Sequence, residues 1–197
     1  SVLISYVYYN YEILQENDKF LKDSDSVANR ISDKLRLVGT TLHGFRGIYE
    51  IKENVTREDF KKFYDSVQNS KKLSGVQAMG YQLETADKQV FVKSFDELKS
   101  LGLLKRDLPV IDYDGKYRFI FYIEPTDDRN IVALGYDMYS NPIRREAIDK
   151  SYVGDSPSMS GAVTLVQEIT KQKQHGFLLY LPVYKYGTNP STLRSEE

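Results

Sequence analysis

The first 48 residues constrain the fold of this chain most strongly, because they can form one long helix. Residues 2–48 contain no proline, and the first glycine is Gly39; these two residue types weaken a helix interior most. Two apolar rows with a seven-residue repeat, offset by three, run along this segment. They are Leu14, Leu21, Ala28, Leu35 and Leu42, and Ile31, Val38 and Phe45. The spacing predicts a helix with an apolar seam.

The seam is interrupted in its first half, where Asn17 and Ser24 occupy positions of the second row. Two uses of the helix remain open: it packs on its own domain, or it forms a parallel dimer stalk. The opening residues fit either a helix that leaves a membrane interface or a buried core. They are Val2, Leu3, Ile4, Val7, Tyr8 and Tyr9.

Two capping boxes predict short helices after this segment. Thr56 and Asp59 have the required three-residue spacing, and Ser94 and Glu97 repeat it. Gly102 fits the exit from the second of these helices. The apolar faces that follow the caps are Phe60, Phe63, Tyr64 and Val67, and Phe95, Leu98 and Leu101.

The stretch 122–147 is the segment in which a binding site is expected. The apolar run 119–123 predicts a strand that ends at Glu124 and Pro125, because proline cannot donate a ladder hydrogen bond. Asp127 or Asp128 can cap a short helical turn there. Gly135 fits the left-handed position that closes the turn.

A further helix is predicted directly after this stretch. Asn141 is a suitable N-cap, and Pro142 suits the first helical position. The predicted buried stripe is Ile143, Ala147 and Ile148. Arg144 and Arg145 could hold an anionic group, but solvation or pairing with Glu146 and Asp149 explains them more simply.

The remaining apolar segments predict a sheet of about five strands. The turn at Asp114–Gly115 favours antiparallel pairing of its neighbours. The predicted strands are 74–81, 110–113, 117–123, 162–168 and 176–184, the last of them central in the sheet. The fold class is therefore α+β, with an antiparallel sheet, short flanking helices and a long helix in front. The predicted boundaries are 1–50 for the helix, 51–190 for the domain and 191–197 for a linker.

Composition excludes several classes of protein. The net charge is −1 and the sequence pI is about 6.2, so no positive field would attract nucleic acid. The absence of cysteine excludes thiolate metal sites and cysteine nucleophiles. No apolar run reaches the roughly 20 residues that span a bilayer. The start at Ser1 and the end at Glu197 predict a piece of a longer protein.

The sequence offers little support for an enzyme or a bound cofactor. His43 and His175 are the two histidines, and they lie in different segments without partner ligands at helical spacing. No nucleophile elbow, P-loop or dinucleotide glycine pattern is present. Four acidic residues could imitate a calcium site, but turns and caps explain them more simply. They are Glu124, Asp127, Asp128 and Asp137.

Several motifs in a fixed order resemble the CHASE family. They are SGVQAMG at 74–80, Glu124–Pro125, Asn130–Met138, SNPIRREA at 140–147, Ser160–Gly161, LVQE at 165–168 and GFLLYLPVY at 176–184. The approach through 42–49 and 55–60 also resembles the passage from stalk helix to domain in bacterial members. The resemblance covers most of the chain, and no single motif carries it.

This resemblance implies a PAS-like domain in the periplasmic part of an inner-membrane receptor, between transmembrane helices. Such receptors carry histidine kinase, diguanylate cyclase or phosphodiesterase modules in the cytoplasm. Plant cytokinin receptors use the same domain for an adenine-type hormone, and Asp128 is similar in position to the aspartate that binds the adenine ring there. Capping of the short helical turn is the competing role for Asp128. The departures from the plant pattern around Glu124–Pro125 and Asn130–Ile131 argue against cytokinin itself.

The other predicted ligand contacts follow from strand alternation and mixed polarity. They are Tyr122, Leu134, Gly135, Tyr136, Ser160, Thr164 and Tyr180. The expected function is therefore a sensor domain that binds a small molecule, possesses no catalytic activity of its own and dimerises through the stalk helix. The alternative is a dimerisation or protein-binding module without a small-molecule ligand.

Overall fold

The computed structural model describes residues 2–70, 73–105, 114–165 and 175–188, with side chains from residue 15 onward. The predicted strand 110–113, the end of the predicted strand 162–168 and the linker 191–197 lie outside these ranges. The chain divides into two units, Ser1–Thr40 and Thr41–Glu197.

The long helix is confirmed: helix α1 runs from Val2 to Ile51. In the first unit two residues of the predicted seam face solvent: Leu21 is 60% and Ile31 55% exposed. Surface ion pairs such as Lys22 with Asp18, 2.6 Å apart, lie along the same part of the helix. Among its described residues, the first unit therefore leaves these two seam residues uncovered.

The end of α1 belongs to the second unit and packs on it through aromatic rings. Phe45 is buried and meets Phe60 edge-on, with ring centroids 4.9 Å apart. Tyr49 stacks on Tyr81 at 5.0 Å. Packing on its own domain is thus the role of this last part of the helix.

Helix α2, Arg57–Asn69, begins at the predicted capping box. The Thr56 hydroxyl accepts a hydrogen bond from the Asp59 amide, and the Asp59 carboxylate accepts one from the Thr56 amide. Hydrogen bonds from Lys52 and Thr56 hold the pKa of Asp59 well below its usual range. The helix buries Phe60, Tyr64 and Val67.

Helix α3, Lys88–Ser100, begins earlier than predicted. Its N-cap is Asp87, whose carboxylate accepts from the Gln89 amide at 2.7 Å, and Ser94 lies in mid-helix. The earlier start extends the apolar face, because Phe91 then lies one turn before Phe95 and is buried with it. The predicted cap at Ser94 is therefore wrong.

A matched pair of alanine substitutions tests whether Asp87, and not Ser94, is the N-cap of α3. Asp87→Ala is expected to lower the free energy of unfolding by about 1 kcal/mol, because two amides at the start of α3 lose their acceptor. Ser94→Ala should leave it unchanged or raise it slightly, since alanine favours a helix interior. Urea unfolding measures both, and a larger loss for Ser94→Ala would contradict the assignment.

Two strands form the ladder at the centre of the second unit. Strand β1, Met79–Thr85, pairs antiparallel with strand β2, Tyr117–Glu124. The predicted strand 117–123 is confirmed, whereas the predicted strand 74–81 starts and ends later. The register shifts between Tyr81 and Gln82, so Phe121 has no partner and the alternation of side chains along β2 is interrupted there. From Arg118 onward β2 is buried on both faces.

Helix α4, Pro142–Gly154, confirms the predicted start, because the Asn141 side chain accepts from the Ile143 and Arg144 amides. Its buried stripe differs from the predicted one. Ile143 is 42% exposed, and Arg144 is buried with Ala147, at 2% exposure for each. The stripe follows the helical spacing from Arg144, so the prediction of a solvated Arg144 is wrong.

The predicted five-stranded sheet is not present among the described residues. Beside the β1–β2 ladder there are two short antiparallel ladders. Strand β3, Ser158–Met159, pairs with strand β6, Leu179–Tyr180, and strand β4, Val163–Thr164, pairs with strand β5, His175–Gly176. The segment 176–184 changes partner between Gly176 and Leu179, and Phe177 is 56% exposed, so it is not a central strand.

Candidate functional site

Arg144 is the central side chain of the candidate site. It projects from the first turn of α4 and is only 2% exposed. One terminal nitrogen donates to the Thr164 carbonyl at 3.0 Å, and the other contacts the Met138 sulfur at 3.1 Å. Its Nε is buried and has no hydrogen-bond partner among the described residues. The Tyr136 ring covers the guanidinium, 5.2 Å from ring centroid to Cζ.

Tyr180, on β6, contributes a second unsatisfied donor. Its hydroxyl is buried and lacks a partner in the described part of the chain. Burial raises the pKa of Tyr180; nearby Arg144 opposes this shift and Tyr136 adds to it. The phenol therefore stays neutral at physiological pH and presents an O–H donor near the guanidinium.

Ser160 and Thr164 are held beside this group by short strands. The Ser160 hydroxyl accepts from the Leu178 amide at 3.0 Å and donates to the Gly161 carbonyl at 2.8 Å, so it ties β3 to the segment before β6. The Thr164 side chain is exposed, and its backbone carbonyl is the atom that contacts Arg144. Of the predicted contacts, Tyr136, Thr164 and Tyr180 thus lie around Arg144, and Ser160 supports them.

The turn between β2 and α4 positions Tyr136 and Met138. Asp137 caps the 3-10 turn Met138–Ser140 by accepting from the Tyr139 amide at 2.8 Å. Burial raises the pKa of Asp137, although hydrogen bonds to Tyr139 and Ser140 and the charge of Arg118 oppose the shift. The Met138 amide is held in place by the Gln82 side chain of β1.

Three other predicted contacts lie in the core. The Tyr122 hydroxyl donates to the Val55 carbonyl at 3.1 Å, and burial raises the pKa of Tyr122 to about 12. Leu134 is fully buried, and the Gly135 amide donates to the Ile120 carbonyl. These residues brace β2, and a ligand role for them stays a prediction.

Asp128 lies exposed on the loop after β2, where its ligand role also stays a prediction. The loop is held by its own hydrogen bonds. Asp127 accepts from the Asn130 amide at 2.7 Å, and the Asn130 side chain donates to the Pro125 carbonyl at 3.0 Å. Asp127 is therefore the residue that caps this turn, which leaves the Asp128 carboxylate available to solvent.

Arg144 is the residue that sequence reasoning placed wrongly. The signal that identifies it is helical spacing, because Ala147, Ile148 and Ser151 follow at three, four and seven positions and are all buried. Its neighbour Arg145 lies over the Tyr139 ring instead, at 5.1 Å. Of the two arginines, Arg144 is therefore the better candidate for a functional residue, because it is a charged side chain on a buried apolar stripe.

The far end of α4 contacts helix α1. The C-cap Asp155 accepts two hydrogen bonds from Arg46, at 2.6 and 3.3 Å, and a third from the Tyr184 hydroxyl. Arg46 also lies over the Tyr184 ring, 4.9 Å from the centroid. One helix therefore carries the candidate site at its start and a contact with α1 at its end.

Within the described ranges, no three histidine, aspartate or glutamate side chains are grouped so that they could hold a metal ion. Among the same residues, no helix has the length and apolar character needed to cross a membrane.

The described residues thus combine a mixed α+β fold with a buried arginine that lies beside a tyrosine ring. A family model described as CHASE domain matches residues 53–197. The chain therefore belongs to the CHASE domain family, as the resemblance of its motifs implied. CHASE domains are extracytoplasmic sensor modules of receptors, and they are not catalytic. A comparison with curated proteins returned no match.

Proposed function

We propose that this CHASE domain binds a small molecule beside α4 and is the periplasmic part of an inner-membrane receptor. The observation that supports this most is the convergence of three predicted contacts, Tyr136, Thr164 and Tyr180, on one buried arginine. Buried polar groups without partners are costly in a domain that has no use for them. A ligand that supplies the missing acceptors would account for them.

In this proposal helix α4 passes the signal from the site to α1. Its first turn carries Arg144 and its C-cap Asp155 holds Arg46 of α1. A ligand that pulls on Arg144 would change how firmly Asp155 holds Arg46. We also propose that the ligand closes the loop that carries Asp128 over the site, and that this motion changes how the domain packs on α1. The output would be a cytoplasmic histidine kinase or cyclic-di-GMP enzyme, reached through flanking transmembrane helices.

Thermal unfolding against a panel of metabolites that includes adenine derivatives tests ligand binding. A compound at 100 times its dissociation constant adds about 2.7 kcal/mol to stability, which raises the melting temperature by about 5–10 °C. The Asp128→Ala variant tests whether the exposed loop carboxylate takes part, and Asp96→Ala, at an exposed position of α3, is its control. A panel without any shift would argue against a small-molecule sensor.

The exposed seam residues of α1 favour a second function, dimerisation of the chain. Leu21 and Ile31 are more than half exposed, and both belong to the predicted heptad rows. We propose that a second copy of the chain covers them in a parallel dimer.

Sedimentation equilibrium tests this dimer. The wild-type chain is expected to show twice the monomer mass at about 100 µM, and Ile31→Asp should weaken association at least tenfold. Val92→Asp on α3, where the valine is 43% exposed, is the matched control. A monomeric wild type would remove the support for the stalk.

A further inference from the structure

The buried arginines of the second unit differ in one respect, namely how their charge is balanced. Arg46 and Arg118 are 9% and 6% exposed, and each forms an ion pair, with Asp155 at 2.6 Å and with Glu84 at 2.7 Å. Arg144 is the most buried of the three at 2%. It forms no ion pair with any carboxylate of the described residues.

The hydrogen bonds of Arg144 also leave much of its donor capacity unused. A guanidinium carries five N–H donors. Two contacts are made, and one of them is to the Met138 thioether, which is a weak acceptor. Nε–H has no acceptor among the described residues. A buried cation without a counterion carries a large desolvation cost, so a bound anion would stabilise this arrangement.

Tyr180 adds a donor of a different kind to the same place. Its hydroxyl is buried without a partner in the described residues, and it lies on β6, the strand that packs against α4. Two donors from separate elements, α4 and β6, therefore lack acceptors together. This convergence is the geometry of a site for an oxygen anion.

We infer that Arg144 and Tyr180 bind the carboxylate of the small molecule that this domain senses, an inference that rests on the proposed function. One guanidinium balances one negative charge, which fits a carboxylate better than a phosphate dianion. The Tyr136 ring closes one face of the guanidinium. The ligand is therefore a small carboxylic acid.

The test uses calorimetric titration with acetate, pyruvate, succinate, benzoate and indole-3-acetate. The corresponding neutral amides and inorganic phosphate are titrated in parallel. At least one carboxylate is expected to bind at least tenfold more tightly than its amide and more tightly than phosphate. Binding should weaken at least tenfold in Arg144→Gln and about fivefold in Tyr180→Phe.

Two variants keep the test independent of folding. Tyr180→Phe removes only an oxygen that has no partner, so its melting temperature should equal or exceed that of the wild-type chain. Arg145→Gln is the matched control, because Arg145 is adjacent on α4 but contacts Tyr139, and carboxylate affinity should be unchanged. Equal loss of affinity in Arg145→Gln would overturn the assignment to Arg144.

Failure of this inference can be distinguished from failure of the proposed function. If amides or the adenine derivatives of the metabolite panel bind while every carboxylate fails, the domain is a sensor and the carboxylate site is wrong. If a carboxylate binds equally to wild type and Tyr180→Phe, the assigned site is also wrong. If no compound of either panel binds, both proposals are overturned.

Discussion

Replacing Phe119 with alanine is expected to lower the free energy of unfolding by about 3–5 kcal/mol, and the melting temperature by about 10 °C. Phe119 is fully buried on β2 and meets Phe91 and Phe95 of α3 edge-on, at centroid distances of 5.5 and 5.3 Å. The large loss arises because the substitution leaves a cavity between two elements that cannot close up.

The control for this prediction is Phe20→Ala, because Phe20 is 69% exposed on α1. It should change the free energy of unfolding by no more than about 0.5 kcal/mol. Urea unfolding measures the free energy of unfolding of both variants. Their difference gives the effect of lost packing, because both variants lose a phenyl ring but only Phe119 is buried. Losses of similar size would show that the β2–α3 contact is not the core of the domain.

Replacing Gly135 with alanine is expected to lower the free energy of unfolding by about 2–3 kcal/mol. Two effects contribute to this loss, and the same substitution at Gly115 separates them. Gly135 has φ of +79°, and an added Cβ would lie 2.9 Å from Leu104 Cδ2. Gly115 also has φ of +79°, but a Cβ there meets nothing within 4 Å. Gly115→Ala should therefore show the backbone cost alone, about 1–2 kcal/mol.

The difference between the two glycine variants measures the close approach at Gly135. Leu104 has to shift by a few tenths of an ångström, and the Phe95 ring at 3.6 Å limits where it can go. We expect about 1 kcal/mol of additional loss from this overpacking. If thermal unfolding shows equal losses of stability for the two variants, Leu104 can move away from the added Cβ without an energetic cost.

Local features of the fold could be predicted because their causes are local. The capping box at Thr56 and the cap at Asn141 depend on side chains within three residues of the helix start, so the sequence pattern is sufficient. The continuous α1 helix likewise follows from the missing proline and the heptad rows. At Ser94 the same rule failed, because the helix already begins at Asp87 and Ser94 lies in its interior.

Sheet organisation could not be predicted because it depends on pairing between distant segments. The run 176–184 has the composition of a buried strand, yet Gly176 pairs with β4 and Leu179–Tyr180 pair with β3. The register shift opposite Phe121 has no signal in the sequence either. Strand composition predicts where ladders can form, whereas their extent is set by tertiary contacts.

Only part of the candidate site could be predicted, because its arrangement also depends on contacts between distant segments. Tyr136, Thr164 and Tyr180 were selected for their chemistry, and the fold brings them to Arg144 from three separate segments. Arg144 itself resembled a solvated residue of a helix surface until its helical face was known. The choice between two neighbouring arginines depended on the rotation of α4, which packing determines.

The most direct test of the central claim is an amide ¹H–¹⁵N NMR titration of the chain with a compound that raises its melting temperature. We expect the largest shifts at Tyr136, Arg144, Thr164 and Tyr180, with smaller shifts along α4 toward Asp155. Shifts confined to the exposed seam of α1, around Leu21 and Ile31, would contradict it. They would show that the domain binds through its helix surface and not beside α4.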